Sequence, residues 1–370
     1  MMTPTPDGSA RIDTPKRLNR PTQIDPRTCS VGCIGLGAMG GAMARNLSAG
    51  CAKPVLAYDL SSSNMKAAVA AGCSAARSLA DFSGSDVIVM SLPRSSDCQA
   101  VVKVLLKANG LKRGCTILDT TSGVPAISKE LGERLEAHQV DYLDFGVAGG
   151  PAGAATARLS GMVGGSQAAL ARVMPVVKLF CNGDAVHHMG PYGAGHAVKA
   201  VNNMLLGANI VTATEGLTLL NKFGVPSEAA LAAINSSSGR SLVTEERIPN
   251  HVLSGRFDFG FRLDLMMKDL RNAIGLMDAT DVGGHGAKAA PGPKGAAAPV
   301  LREVFRSWRD AERACAPESE HMEGITKIIE AGIGADVRHK GLARTWTPKH
   351  TDHLARHHAG RGFNLSLIHI

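Results

Sequence analysis

In the stretch Val31-Gly32-Cys33-Ile34-Gly35-Leu36-Gly37-Ala38-Met39-Gly40, a short apolar run leads directly into a Gly-x-Gly-x-x-Gly pattern and then into a helix-like run. In such a turn the first glycine adopts a conformation closed to other residues, the second admits a pyrophosphate, and the third lets the helix pack on the strand. The phosphates then lie at the helix N-terminus. The stretch therefore predicts a dinucleotide-binding turn made by Gly35, Leu36, Gly37, Ala38, Met39 and Gly40.

A carboxylate follows this turn at the sequence separation expected of a ribose-binding residue. Asp59 ends the next apolar run and lies 19 residues after Gly40. An acidic residue at about 20 residues from the turn binds the ribose hydroxyls of the adenosine half. Leu60 comes next, and no arginine follows within several positions to receive a 2′-phosphate. We therefore expect NAD as the cofactor, with NADP less favoured; Lys66 and backbone donors keep NADP open as the alternative.

Apolar runs alternate with helical stretches in the first half of the chain, which is typical of parallel strands joined by helical crossovers. After Gly195 the pattern changes to long helical stretches. We therefore predict an α/β Rossmann-type domain over residues 29–192, followed by an all-α substrate and dimerisation domain over 193–337. The predicted strands are Val31–Leu36, Val55–Tyr58, Val87–Leu92, Thr116–Leu118 and Tyr142–Phe145, and the predicted helices include Ala197–Phe223, Leu263–Met277, Val300–Ala314 and His321–Ala331.

Three segments lack the pattern of a packed domain. Residues 1–28 are polar and proline-rich and predict a disordered extension, while the Gly-, Ala- and Pro-rich residues 281–298 predict an irregular loop. Residues 338–370 predict a disordered basic tail. Because residues 365–370 can be back-translated into a sequencing-adapter sequence, we hypothesise that this tail is an artefact of sequence assembly.

Charge and composition exclude several classes of partner. Of the formal net charge of +8, residues 1–30 carry +2 and residues 338–370 carry +5, so the core is nearly neutral and predicts no nucleic-acid surface. The cysteines form no Cys-x-x-Cys pair and predict buried thiols in a reducing compartment. No apolar run approaches the ~18 residues that span a bilayer, and no signal peptide is recognisable, so we expect a cytoplasmic location. The histidines lack accompanying ligands, so no metal is predicted.

Five further motifs follow the glycine turn in order. Together with the turn they resemble the β-hydroxyacid dehydrogenases, the family of 3-hydroxyisobutyrate dehydrogenase and tartronate semialdehyde reductase. The similarity covers roughly residues 30–280 and resumes weakly over 299–337. The resemblance implies reversible hydride transfer between NAD and a short 3-hydroxy acid or the matching semialdehyde, in a homodimer or homotetramer. The motifs are Ser91-Leu92-Pro93, Asp119 to Pro125, Val147 to Gly150, Gly193 to Asn203, and Gly260-Phe261 with Lys268-Asp269-Leu270.

Lys199 and Asn203 are the candidate catalytic residues. They stand four residues apart and so share one face of a predicted helix, where both can reach one ligand. Lys199 lies among small and apolar residues, and partial desolvation would lower its pKa towards the range that a proton shuttle needs. The resemblance implies the same role, with Lys199 as the proton donor or acceptor and Asn203 as a residue that orients the substrate.

The remaining site residues follow from the resemblance. It places Leu92, Pro93, Ser122 and Lys268 beside the cofactor. It assigns the substrate to Ser122, Ala148, Gly149, Gly150, Lys199 and Asn203, and backbone N–H groups of adjacent glycines suit a carboxylate. Two positions depart from the family pattern, because Ala148 replaces a serine and Ala157 replaces a glycine. These departures leave the reaction type intact but leave the substrate open.

Other functions stay open at this point. Within the enzyme class the alternatives are a sugar-acid dehydrogenase acting on a threonate-like substrate, an imine reductase and a 6-phosphogluconate dehydrogenase. Lys199 argues against the second, and Leu206 argues against the third, which would need a glutamate there. Outside the class, the chain could be a non-catalytic scaffold that keeps the dinucleotide fold and binds partners through its basic ends. The joint presence of Lys199 and Asn203 argues against a scaffold.

Overall fold

The computed structural model describes residues 23–107, 111–282, 299–316, 319 and 321–333. The predictions made for residues 1–22, 283–298 and 338–370 therefore lie outside the described residues. The chain divides into two compact units, each of which joins two stretches of sequence. The first unit comprises Met1–Gly207 with Leu265–Phe305, and the second comprises Ala208–Asp264 with Arg306–Ile370.

The first unit is built on one eight-stranded sheet, whose spatial order is β3-β2-β1-β4-β5-β6-β7-β8. The first six strands are parallel, β7 runs antiparallel to β6, and β8 is parallel to β7. The order of the first six is that of the Rossmann fold. The strands are β1 Val31–Ile34, β2 Leu56–Tyr58, β3 Ser74–Ala75, β4 Val87–Met90, β5 Thr116–Asp119, β6 Asp141–Ala148, β7 Leu159–Gly165 and β8 Cys181–Gly190.

Helices connect the strands and cover both faces of the sheet. Strands β1, β4 and β5 are buried along their whole length, as expected of parallel strands covered on both sides. Alternate side chains of β4 enter two different apolar clusters, Val87 and Val89 in one and Ile88 and Met90 in the other. The helices are α1 Ala38–Gly50, α2 Ser62–Ala70, a 3-10 helix Leu79–Gly84, α3 Ser95–Lys107, α4 Pro125–Glu136, α5 Gly150–Ala155, α6 Gln167–Val177, the start of α7 Ala194–Phe223 and most of α9 Leu263–Val282.

The second unit is helical in every labelled element. It holds the rest of α7, then α8 Ser227–Asn235, a π-helix Val243–Leu253, the first residues of α9, most of α10 Pro299–Ala314, and α11 His321–Ile333. Its core includes Trp308, whose ring stacks on His321 with centroids 6.0 Å apart. An α/β Rossmann-type part followed by helices confirms the predicted fold class. None of the helices in the described part of the chain is long and apolar enough to span a membrane.

The structure differs from the sequence-based expectation in three places. Strands β3, β7 and β8 were not predicted; β3 has only two residues, β7 is rich in glycine and β8 is polar. Helix α9 continues through Val282, so the prediction that an irregular loop begins at Asp281 is wrong for its first two residues. Residues 23–28 form a turn that packs on the first unit, where Ile24 is buried and its N–H donates to the Arg172 carbonyl at 2.8 Å.

Candidate active site

The glycine turn between β1 and α1 has the geometry that a pyrophosphate requires. Gly35 has a φ of +87°, and a Cβ atom there would overlap the Ser91 carbonyl oxygen. A Cβ on Gly40 would overlap the Gly35 oxygen, so both positions exclude side chains. Gly37 is exposed at the N-terminus of α1, and a Cβ there would meet nothing within 4 Å. A phosphate therefore has space to approach the backbone N–H groups at the N-terminus of α1, as a dinucleotide requires.

Asp59, at the end of β2, is bound to this turn. One carboxylate oxygen accepts the Leu36 N–H at 2.6 Å, and the other accepts the Ser61 N–H at 2.7 Å. Each oxygen keeps a further lone pair for ribose hydroxyls. Leu60, the residue beside it, is 92% exposed. Asp59 thus holds the glycine turn in place and still presents acceptors at the position that the cofactor's ribose would take.

The ends of β4 and β5 are joined by hydrogen bonds that bring Leu92, Pro93 and Ser122 together. The Thr120 N–H and hydroxyl both donate to the Met90 carbonyl at 2.8 Å, and the Leu92 N–H donates to the Thr121 hydroxyl at 3.1 Å. These bonds fix the two segments that follow parallel strands, where ligands of such sheets bind.

Lys268 on α9 reaches both segments. Its ammonium donates to the Pro93 carbonyl at 3.2 Å and to the Ser122 carbonyl at 3.1 Å. Asn272, one turn further along α9, donates to the carbonyls of Ser122 and Gly123 at 3.2 and 3.3 Å. Lys268 and Asn272 therefore connect α9 by hydrogen bonds to the segments after β4 and β5, where the cofactor is predicted to bind.

The start of α7 is anchored by a carboxylate from the sheet. Asp144 on β6 is fully buried and accepts the N–H groups of Gly193 and His196 at 2.8 and 2.9 Å. Burial raises the pKa of Asp144, and these two bonds oppose the rise. The absence of a side chain at Gly195 lets α7 lie directly on the backbone of β6 and β7.

His196, three residues before Lys199, is 1% exposed and both ring nitrogens have partners. Its Nε2 lies 3.1 Å from the Asp119 carbonyl, which can only accept, so this nitrogen carries the proton. Its Nδ1 lies 2.7 Å from the Ser128 hydroxyl and, in the neutral ring, accepts from it. The ring therefore joins α7 to the end of β5 and to α4.

Lys199 is the central residue of the site. It is 9% exposed, and the stem of its side chain packs on Gly146 of β6. Burial lowers the pKa of Lys199; the charge of Asp269 opposes this effect and that of Lys268 adds to it. Lys199 shares one small recess with Ser122, Gly123 and Asn203.

Asn203 stands one turn after Lys199 and is 4% exposed. Its Nδ2 donates to Asp269 Oδ2 at 2.5 Å, and its Oδ1 accepts from Asn202 at 3.1 Å. The i, i+4 relation expected from the sequence is thus realised on α7. A buried lysine and an oriented amide in one recess can hold an oxygen atom and move a proton to or from it.

The predicted substrate residues Ala148, Gly149 and Gly150 lie at the junction of β6 and α5 in the first unit. They are not among the residues that line the Lys199 recess. Gly149 and Gly150 have φ values of +126° and +63°, a backbone conformation suited to anion-binding N–H groups. Ala157, which replaces the expected glycine, has a φ of +55°, so the position keeps a glycine-like conformation.

Four residues of the site escaped prediction as functional: Asp144, His196, Asp269 and Asn272. Asp144 carries a usable signal, since a charged residue inside an apolar strand requires a partner. Asp269 and Asn272 lie three residues apart on the same helix face. His196 gave no signal beyond its place before Lys199.

The glycine turn, the carboxylate bound to it and the buried lysine beside an amide are what an oxidoreductase that uses a nicotinamide dinucleotide requires. Comparison with family models agrees with this class. Residues 30–190 match the NAD-binding domain of 6-phosphogluconate dehydrogenase, and residues 193–292 match the NAD-binding region of NADP-dependent 3-hydroxyisobutyrate dehydrogenase. The chain belongs to the β-hydroxyacid dehydrogenase family, as its motifs predicted.

Individual relatives span most of the chain. It is 34% identical to 2-(hydroxymethyl)glutarate dehydrogenase of Eubacterium barkeri over 317 residues, which are 84% of this chain and 98% of the relative. It is 33% identical to human mitochondrial 3-hydroxyisobutyrate dehydrogenase over 65% of this chain and 73% of the relative. The structure of Mycobacterium tuberculosis 3-hydroxyisobutyrate dehydrogenase with L-serine matches with a TM-score of 0.70 at 26% identity, over 81% of this chain and 99% of that one. The predicted class of enzyme, a dehydrogenase acting on CH–OH groups with NAD or NADP, is confirmed.

Proposed function

We propose that the chain catalyses reversible hydride transfer between NAD and a short 3-hydroxy acid, either oxidising a 3-hydroxyisobutyrate-like acid or reducing the matching semialdehyde. The observation that carries this proposal is the buried Lys199, which shares a recess with Asn203 and Ser122. When bound, the oxidised cofactor would accept the hydride and the reduced cofactor, NADH, would donate it. The protein contributes binding, orientation and a group that moves the proton.

Lys199 is the proposed proton carrier. In the reductive direction its ammonium donates a proton to the carbonyl oxygen, and in the oxidative direction its neutral amine accepts the hydroxyl proton. Because burial lowers the pKa of Lys199, both forms come closer to coexisting near neutral pH, which favours general acid–base catalysis. Asn203 orients the substrate, since its Nδ2 is held by Asp269 and keeps a second N–H for a ligand oxygen.

The cofactor is proposed to lie along the ends of β1, β2, β4 and β5. Its pyrophosphate would bind the turn formed by residues 35–40, its adenosine ribose would bind Asp59, and its nicotinamide half would lie beside Leu92, Pro93 and Ser122. Lys268 supports that half by holding the Pro93 and Ser122 carbonyls. NAD is preferred to NADP because a 2′-phosphate would meet the Asp59 carboxylate.

The substrate class is supported by chemistry that the named relatives share. 2-(Hydroxymethyl)glutarate and 3-hydroxyisobutyrate both carry a hydroxymethyl group on the carbon next to a carboxylate, so each is a 3-hydroxy acid. In this chain the carboxylate would be held by the N–H groups of Gly149 and Gly150, next to Ala148. A methyl group at Ala148 cannot donate a hydrogen bond, and this difference favours a substrate set that is not identical to that of a serine-bearing relative. A homodimer or homotetramer stays a prediction.

The test is turnover of NAD(H) by the purified chain against a panel of 3-hydroxyisobutyrate, 2-(hydroxymethyl)glutarate, L-serine, threonate and the corresponding semialdehydes. We expect activity with at least one 3-hydroxy acid, and Lys199→Ala should lower kcat by about 10²–10⁴-fold, the usual contribution of a general acid or base. NADH affinity should stay within a few-fold. Lys129→Ala, at an exposed position on α4, is the control and should behave like the wild type.

Two results would contradict the proposal. Binding of NADH without turnover of any panel member would favour the scaffold alternative. Full activity of Lys199→Ala would remove Lys199 from the mechanism. Turnover of threonate alone would support the sugar-acid alternative within the same family.

A further inference from the structure

Asp269 on α9 has no role in the proposed function beyond its contact with Asn203, yet its surroundings are unusual. It is 3% exposed and lines the same recess as Lys199. Its Oδ2 accepts the Asn203 Nδ2–H at 2.5 Å. Because a carboxylate oxygen can only accept, this bond determines which end of the Asn203 amide faces α9. The amide of Asn203 is therefore oriented by Asp269.

The second oxygen of Asp269 is buried and accepts no hydrogen bond from the residues that the structure describes. It lies 3.2 Å from the Lys268 ammonium, within ion-pair distance. The hydrogen bonds of that ammonium, however, go to the carbonyls of Pro93 and Ser122. A buried carboxylate oxygen without a hydrogen bond is costly, so a group that satisfies it during the reaction is the natural explanation.

The other titratable groups around Lys199 already form hydrogen bonds with other residues. On its own helix, His196 bonds to Asp119 and Ser128 through its ring. Asp144 on β6 accepts two N–H groups from the start of α7. The side chain of Asp119, the last residue of β5, accepts hydrogen bonds from the Tyr142 hydroxyl and the Thr121 N–H. These bonds leave Asp269, which lines the recess, and its neighbour Lys268 as the charged groups that act on Lys199 from α9.

Among the described residues that line the recess, Asp269 is the sole carboxylate and Lys199 the sole ammonium. Lys268, outside that lining, adds a positive charge next to Asp269. Removal of Asp269 and removal of Lys268 should therefore act on Lys199 in opposite directions. This opposition distinguishes an electrostatic role from simple packing.

We propose that Asp269 is a positioning residue for proton transfer, which fixes the Asn203 amide with one oxygen and, with the other, stabilises the ammonium form of Lys199. The inference rests on the proposed function only in that Lys199 is taken as the proton carrier. When Lys199 takes the proton of a substrate hydroxyl, its new positive charge forms opposite the Asp269 carboxylate. When Lys199 gives that proton to a carbonyl oxygen, the charge is lost again.

The first measurement needs no substrate. A ¹³C NMR titration of the Lys199 ε-carbon, assigned by its loss in Lys199→Met, reports the protonation of Lys199 directly. We expect Asp269→Asn to move this titration to lower pH and Lys268→Met to move it to higher pH. The matched control Glu133→Gln, at an exposed site on α4, should leave it unchanged. A Lys199 titration that is unaltered in folded Asp269→Asn would overturn the proposal.

The second measurement uses the substrate found in the panel. In Asp269→Asn the pH profile for oxidation should shift to lower pH, because Lys199 is then deprotonated more readily. Reduction at neutral pH should lose at least about tenfold in kcat, while the Kd of NADH changes little. A pH profile that does not move, or a loss confined to NADH binding, would contradict an electrostatic role.

The design separates two kinds of failure. If no substrate is turned over, the proposed function fails, but the NMR titration still tests Asp269. If Asp269→Asn does not fold, the Lys268→Met titration still tests whether the charges on α9 act on Lys199, and the expected shift has the opposite sign. An unaltered Lys199 titration in Lys268→Met would then overturn the charge relationship.

Discussion

The Asp144 carboxylate on β6 accepts the backbone N–H of His196 at 2.9 Å and thereby joins the sheet to the helix that carries Lys199. Its other oxygen accepts the Gly193 N–H at 2.8 Å. These are the first N–H groups of a helix, which have no partner within the helix itself. A negative charge at this end also interacts favourably with the helix dipole. The position of Lys199 relative to the sheet therefore depends on Asp144.

We predict that Asp144→Asn lowers the free energy of unfolding by about 1–3 kcal/mol, because the amide nitrogen would face an N–H donor and leave it unsatisfied. Activity should also fall, because a shift of α7 would move Lys199. Chemical denaturation and steady-state kinetics measure the two effects. Asp184→Asn, at an exposed residue on β8, is the matched control and should change stability by less than about 0.5 kcal/mol. An Asp144→Asn protein as stable as the control would show that α7 is held by other contacts.

A substitution at Ala157 should raise the stability of the protein, whereas Asp144→Asn should lower it. Its φ of +55° lies in the left-handed region, which a residue with a Cβ adopts only at an energetic cost. Ala157→Gly should therefore stabilise the protein by about 0.5–1 kcal/mol. Ala155→Gly, two residues earlier in the helix α5, is the control and should destabilise it by a similar amount. Thermal unfolding of the two variants side by side tests the conformation of this loop; two destabilised variants would argue against it.

The choice between NAD and NADP should respond to Asp59 and Leu60. Leu60→Arg places a cation on an exposed side chain next to the ribose site, and Asp59→Asn removes the charge that would repel a 2′-phosphate. We expect the double variant to shift the ratio of kcat/KM values by at least about tenfold towards NADP. Since Asp59 also accepts the Leu36 N–H, Asp59→Asn alone should weaken both cofactors. A ratio that is unchanged in the double variant would place the ribose elsewhere.

The strands that are buried on both faces could be predicted from the sequence. The apolar runs at β1, β4 and β5 read clearly because every residue there is apolar or buried. Strand β7 was missed because its glycines hide the pattern, although each has a packing reason: a Cβ on Gly161 would meet the Phe145 ring at 2.5 Å. Such a reason lies in contacts between distant residues, which periodicity cannot show.

Site residues could be predicted from the sequence where their type and their spacing point to the same function. Residues that only folding brings together could not be predicted. Lys199 and Asn203 could be paired through helix geometry alone. Asp269 could not be linked to Asn203, because 66 residues separate them and only packing brings α9 to α7. Lys268 was expected to reach the cofactor, whereas its ammonium is bonded to the Pro93 and Ser122 carbonyls. Its role as a cofactor contact stays a prediction.

Burial of Lys199 makes the stability of the protein depend on pH. The pKa of Lys199 in the folded protein is lowered by burial from its ordinary value of 10.5. Between the two pKa values the unfolded chain holds a proton that the folded protein has released, so wild-type stability rises with pH across that window. As pH falls through the folded-state pKa, this contribution is lost, because the buried amine must then carry a charge.

Lys199→Met removes the titrating group and keeps most of the side-chain volume. We expect it to be more stable than the wild type at neutral pH, by about 1 kcal/mol, although it is inactive. The difference should shrink as pH rises towards 10.5, the ordinary value for lysine. Denaturant unfolding of both proteins across the alkaline range measures it, with Lys129→Met as the exposed control that shows no such trend. A Lys199→Met protein whose stability runs parallel to the wild type at every pH would mean that burial does not perturb Lys199, and the basis for its role as a proton carrier near neutral pH would be lost.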